Sequence, residues 1–217
     1  MEAANRSLHS YISGLLQERR KAPGRDVFSQ LMLAEIDGEK LSEDEMVYLT
    51  SELTSAGVDT TRSQLPLILH ALLTHPDQMA ALRADPSLAR NAVDEGMRFA
   101  PLPWALQHAA THDHEYKGIS FAEGDLAMVL IPAVNRDTAA LENPNVFDIT
   151  RPRDRNFSFG YGMHACPGAQ LARLEMATAL ERLVTRLPEM TLAEEPVREP
   201  VSKGETPISL MIEVAKT

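Results

Sequence analysis

Phe159-Gly-Tyr-Gly-Met-His-Ala-Cys166-Pro-Gly168 is the stretch on which the reading of this chain turns. It carries the only cysteine among 217 residues, framed by three glycines. Gly160, Gly162 and Gly168 can take positive φ or let a flat ligand come close to the backbone. A helical pattern over 168–187 follows at once, with Leu171, Leu174, Ala177 and Leu187 recurring on one predicted face. A cysteine at a helix N-terminus has its thiolate stabilised by free N–H groups and the helix dipole. Pro167 removes one of those donors and suits the first helical position. The combination is that of a soft metal ligand presented by a loop.

The spacing Phe159-x-x-Gly162-x-x-x-Cys166-x-Gly168 resembles the haem-ligand loop of the cytochromes P-450, the haem-thiolate monooxygenases. Such a coincidence falls in roughly one chain in a thousand at average composition, so a structural cysteine beside an ordinary turn is the weaker reading. The resemblance implies haem b (iron protoporphyrin IX), with Cys166 ligating iron and pushing electron density that favours O–O cleavage. It also implies haem contacts from Phe159, Gly160 and Gly168, and a propionate contact from His164.

A second motif, Ala56-Gly57-Val58-Asp59-Thr60-Thr61, lies in a helical stretch from about Glu43 to Leu73. Gly57 and two threonines are poor choices for a helix interior, and a Thr hydroxyl can bond back to the preceding turn and bend it. A sequence that accepts these costs mid-helix suggests a site. The stretch resembles the family's oxygen-side helix. That likeness implies haem-side contacts from Ala56 and Gly57, proton relay by Asp59, and a hydrogen bond from Thr60 to the iron–oxygen species. Pro66 in the same helix should kink it.

The third motif is Glu95-Gly96-Met97-Arg98. On a helix, residues three apart share a face, so Glu95 and Arg98 can pair. Taken alone, such a pair is a solvated surface contact. In the family an equivalent pair is buried and joined by an arginine from a later loop, which Phe147-Asp148-Ile149-Thr150-Arg151 resembles. The implied trio of Glu95, Arg98 and Arg151 is structural rather than catalytic. Where the family carries an arginine for a haem propionate, ten residues past Arg98, this chain has His108, which offers fewer donors. Ser42-x-x-Glu45, the Asp37-Gly38 turn, His75-Pro76-Asp77-Gln78, the Gly118 to Gly124 hairpin region and Asn135-Arg136-Asp137 follow bacterial members in order.

The expected class is mainly α with small β pieces, the C-terminal half of the cytochrome P-450 fold, as a single domain over 1–217. Helices are predicted at 5–20, 43–74, 76–84, 87–99 and 168–187, and strands near 108–116, 126–131 and 207–214. The chain has about half the usual family length and starts at a point matching the middle of the fold. A truncated fold is therefore expected, with a haem face open to water that weakens chemistry needing a dry site. Leu8, Tyr11, Ile12, Leu15 and Leu16 form an apolar stripe on the first helix that calls for a covering surface. A homodimer or a complex with another chain is expected on that ground. Lys21–Gly24 and Glu194–Glu205 are the expected flexible pieces.

Composition bounds the rest. Hydrophobic residues at 44% with no membrane-length apolar run describe a globular chain without a membrane span. Met1-Glu-Ala-Ala-Asn-Arg lacks a signal-peptide core, and one cysteine suits a reducing cytoplasm. His112-Asp113-His114 has no partner cluster for zinc. The net charge of −10 argues against nucleic acid and anionic membranes. Between Arg151 and Arg186, however, six arginines face three acids, a local excess of +3. In the family that surface receives an acidic electron donor, a ferredoxin or flavoprotein. Two functions follow: a haem-thiolate oxidoreductase acting on a small organic substrate through Asp59, Thr60 and Cys166, or a non-catalytic P-450-like accessory protein that stabilises a partner enzyme.

Overall fold

The computed structural model describes residues 2–34, 38–152, 156–196 and 209–215. Asp37, Arg153, Arg155 and most of Glu194–Glu205 lie outside the described residues, as do 207 and 208 of the last predicted strand. The chain divides into two compact units, residues 1–59 and 60–217.

The first unit holds α1 (Glu2–Lys21), α2 (Val27–Leu33) and the first half of α3 (Glu43–Thr74). Asp26 starts α2: its carboxylate accepts the Ser29 N–H at 3.0 Å and the Arg19 Nε–H at 2.9 Å. The Gly24 N–H in turn donates to Ser29 Oγ at 2.9 Å. Ser42 starts α3 through a reciprocal capping box, its N–H and Oγ–H donating to Glu45 Oε2 at 2.8 and 2.7 Å while the Glu45 N–H returns to Ser42 Oγ at 3.3 Å. Ile12, Leu16 and Met46 are buried, with Leu8, Phe28, Leu31, Met32 and Val47 packed on them. The expectation that the stripe on α1 awaits another chain is thereby overturned. Its own unit covers Leu8, Ile12 and Leu16, and Tyr11 alone of the stripe stays exposed.

In the second unit α3 continues without a break through Pro66. It is followed by α4 (Pro76–Ala84), a 3-10 turn at Pro86–Leu88 and α5 (Ala89–Phe99). Ile68 and Leu72 of α3 are fully buried in a cluster with Leu82, Val93, Phe147, Ile149, Met176 and Leu180. Each such side chain contributes about 1.5–3 kcal/mol by leaving water. Gly96 permits the close approach of α3 and α5, since a Cβ there would stand 2.8 Å from Ile68 Cγ1. The single strand expected over 108–116 is two. β1 (Ala105–Ala109) pairs antiparallel with β4 (Leu126–Leu130), and β2 (His114–Tyr116) pairs with β3 (Ile119–Phe121). The chain turns out of β1 where the Ala110 N–H donates to Asp125 O and its carbonyl accepts from Gly124. Lys117 and Gly118, both at positive φ, make the two-residue turn of the β2–β3 hairpin.

A short α6 (Ile131–Val134) leads to the long loop before α7 (Ala169–Arg186), and β5 (Met190–Leu192) pairs with β6 (Ile212–Val214). Arg83 secures the end of α7, donating to the carbonyls of Val184, Leu187 and Pro188 at 3.1, 3.0 and 2.6 Å. The inward face of α7 is another correction. Leu171 and Leu174 are exposed, Ala177 and Leu187 of the predicted face pack partly against the core, and Met176, Leu180 and Val184, four residues apart, are buried. Arg173 turns towards Asp94 of α5, with Nε 2.7 Å from Oδ1. Among the described residues no helix is long and apolar enough to cross a membrane.

Candidate functional site

The loop around Cys166 is built from both of its ends. The Phe157 carbonyl accepts the Gly160 N–H at 2.9 Å, and the Phe159 carbonyl accepts the Cys166 N–H at 2.8 Å. Gly160 and Gly162 have φ of +70° and +72°, a region that residues with a Cβ avoid. At Gly160 a Cβ would also stand 3.3 Å from His164 O and 3.7 Å from Leu106 Cδ1, so the loop rests against β1. Gly162 opens a 3-10 turn ending at His164, and Gly168 caps α7. Pro167 therefore sits before the cap, not at the first helical position as expected; its fixed φ helps shape the loop rather than the helix. Cys166 is exposed and unpaired with any other cysteine, and Gly168 keeps the backbone open beside its sulfur. Tyr161 and Met163 on the same loop are also exposed, Met163 at 92%.

His108 lies on β1, exposed, two residues beyond Leu106. Alternation along a strand puts it on the same face as Leu106, the side turned to the Cys166 loop. Structure thus gathers Phe159, Gly160, His164, Cys166 and Gly168 in one loop, with His108 on the strand behind it. Ala56, Gly57 and Asp59 lie on α3 in the first unit, Thr60 opens the second, and all four are exposed.

Glu95, Arg98 and Arg151 do meet. Arg98 donates from Nε and Nη2 to the two Glu95 oxygens, both at 2.7 Å, a bidentate pair with each side chain 5% exposed. Arg151 Nε is 3.6 Å from Glu95 Oε1, and the Asp148 N–H donates to that same oxygen at 2.9 Å. The remaining Arg98 donors reach the carbonyls of Asn135, Pro144 and Val146.

This cluster continues to the Cys166 loop through a residue that the sequence reading quoted only as part of a matching run. Asn135, whose carbonyl Arg98 holds, accepts the Phe157 N–H at 2.9 Å and donates to Ser158 Oγ at 3.1 Å. Ser158 donates onward to Met97 O at 2.8 Å. A second brace was missed outright. Arg173 stacks its guanidinium 4.4 Å from the Phe159 ring centroid while bonded to Asp94. An arginine and an aspartate 79 positions apart leave no periodic signal.

The shifted carboxylates lie away from the loop. Thr150 hydrogen bonds hold Asp148 below its ordinary value, the Ser29 N–H lowers Asp26, and Ser42 lowers Glu45.

Comparison with known proteins matches this arrangement. The cytochrome P450 family model matches residues 1–212. The chain is 39% identical over 188 residues to the epothilone C/D epoxidase of Sorangium cellulosum, covering 86% of this chain and 45% of that protein. It is 40% identical over 193 residues to the vitamin D(3) 25-hydroxylase of Pseudonocardia autotrophica, covering 88% and 48%. Among solved structures, cytochrome P450 CYP109Q5 from Chondromyces apiculatus superposes with a TM-score of 0.93 at 33% identity, covering 100% of this chain and 56% of that one. P450BioI, solved in complex with a hexadec-9Z-enoic acid-ligated acyl carrier protein, gives 0.90 at 32%, covering 96% and 54%. The chain spans about half the length of the curated relatives it matches. With that span, and with the architecture of the C-terminal half of the fold, this chain belongs to the cytochrome P450 family.

Proposed function

We propose that this chain is a haem-binding oxidoreductase in which Cys166 ligates the iron of haem b and a small organic substrate is monooxygenated. The observation that carries the reading is the Cys166 loop itself. A lone exposed cysteine has its amide held by the Phe159 carbonyl, after Gly160 and Gly162, whose left-handed φ disfavours residues with a Cβ. The donor chemistry fits the group: a soft sulfur, an open backbone at Gly162 and Gly168, and exposed apolar Tyr161 and Met163 beside it.

Bound haem supplies redox-active iron for dioxygen activation. Cys166 would hold the metal from a loop whose start at Phe157, Ser158 and Phe159 is braced by Asn135 and Arg173. His164 and His108 offer ring N–H groups to carboxylates, while Phe159, Gly160, Gly168, Ala56 and Gly57 provide close contact. The Asp59 carboxyl and the Thr60 hydroxyl hold and pass protons. An acidic ferredoxin or flavoprotein docks near the stretch Arg151–Arg186, where Arg182 and Arg186 are exposed while Arg151 and Arg173 are held by Glu95 and Asp94. A reducing cytoplasm suits the single cysteine. Association with a second copy or another protein belongs to the same reading. It rests now on Leu126, Met128 and Leu130, exposed in a row on one face of β4.

The test is the absorption spectrum of the reduced, carbon monoxide-treated protein after haem reconstitution. The wild type should show the red-shifted Soret band of thiolate ligation, and Cys166→Ala should lose it. Identical spectra for the two would remove Cys166 as the ligand.

A further inference from the structure

Where α3 runs beside the segment leaving α5, the second unit holds a cavity of about 380 Å³, within the size range of small-molecule sites. Its walls are largely apolar, with Leu67, Ala71, Phe99 and the Trp104 indole among them. His70 and the guanidinium of Arg136 add polarity, and no carboxylate lines it among the described residues. None of the lining residues belongs to the Cys166 loop.

Arg136 is the informative group. It donates from Nη2 to Phe99 O at 2.6 Å and from Nη1 to Pro132 O at 3.5 Å, with its guanidinium carbon 5.0 Å from the Phe99 ring centroid. A guanidinium has five N–H donors, so these two carbonyls leave three. Its neighbours are matched: Arg98 and Arg151 by Glu95, Arg173 by Asp94. Among the described residues Arg136 has no carboxylate within ion-pair distance. Burial and then the Arg98 charge push its pKa down, with Glu95 pulling the other way, so an anion placed on Arg136 would stabilise its charged form. Glu195, 88% exposed and 3.9 Å from His70 Nε2, is screened by solvent.

We propose that this cavity binds a small carboxylate with an apolar body. Its carboxylate sits on Arg136, and its body lies between Leu67, Ala71 and Trp104. A planar carboxylate matches the free edge of a guanidinium, and the apolar walls supply burial for the rest of the ligand.

Trp104 is the only tryptophan in the chain, so its emission reports on this cavity. The 217-residue protein is titrated with octanoate, octanol and octylammonium, each below its micellar concentration. Octanoate should give a saturable change with a Kd at least about tenfold below that of octanol, and octylammonium should give none. Arg136→Gln should abolish the preference for octanoate over octanol, and Arg136→Lys should retain part of it, with circular dichroism checking that each variant is folded. The idea fails if octanol matches octanoate in the wild type, if neither saturates, or if folded Arg136→Gln keeps the preference. The wild-type comparison stands by itself should the variants not fold. Because the readout needs no haem, failure of the Cys166 ligand assignment would leave it unaffected.

Discussion

Replacing Glu95 by alanine tests the energetics of the second unit most directly. The carboxylate accepts two Arg98 bonds at 2.7 Å and the Asp148 N–H at 2.9 Å, and it lies 3.6 Å from Arg151 Nε. Its removal strands the Arg98 guanidinium, whose side chain is 5% exposed, with three backbone carbonyls and no counter-charge. Breaking one side of a buried pair costs about 3–5 kcal/mol. Against a total stability of about 5–15 kcal/mol that is a large share. For a chain of this size it corresponds to a fall in thermal midpoint of about 6–20 °C. Differential scanning calorimetry and urea unfolding of Glu95→Ala measure it. Glu95→Ala/Arg98→Ala should be less destabilised than the two single losses combined, because the second removal takes away the stranded charge. A Glu95→Ala protein whose midpoint lies within about 2 °C of wild type would refute the reasoning, since it would mean that water or movement of Arg98 replaces the carboxylate.

Three further outcomes are expected. Gly160→Ala should cost more than Gly162→Ala, because both positions carry a left-handed φ, worth about 1–3 kcal/mol, but only Gly160 also meets the His164 carbonyl; equal urea midpoints would contradict this. Asp94→Asn should loosen Arg173 from Phe159 and speed alkylation of Cys166 by iodoacetamide, whereas Arg173→Lys, keeping the charge but not the flat stack, should give an intermediate rate. For pH, Asp148, Asp26 and Glu45 all have folded values below their unfolded ones. Their contribution is present in full above the unfolded values and is lost as pH falls through the folded ones, so unfolding midpoints should hold steady from pH 7 to about 5 and decline below about 4. Asp148→Asn should flatten that decline.

Local chemistry was legible in the chain. Ser42 and Glu45 lie three apart and form the capping box that this spacing predicts. The helices expected over 43–74 and 76–84 occur with those bounds. Glu95 and Arg98, three apart on α5, pair as expected. Gly160 and Gly162 take the positive φ that their type permits, whereas Gly168 stays at −84°. These features depend on residues within a turn or two of one another, and a sequence displays such spacing openly.

What the chain could not display was which apolar face turns inward and what holds the loop. Leu171, Leu174, Ala177 and Leu187 share one apolar face by spacing, yet only Ala177 and Leu187 pack against the core, and Met176, Leu180 and Val184 are the buried residues of α7. The stripe on α1 read as awaiting a partner, yet Phe28, Leu31, Met32 and Met46 of the same unit cover it. Asn135 joins the Arg98 cluster to the Cys166 loop across 22 positions, and Arg136, without a carboxylate partner among the described residues, lines the Trp104 cavity. Composition and period specify elements because backbone geometry repeats every few residues. Which side chain finds which partner across tens of residues depends on how those elements pack, and only the tertiary structure decides that.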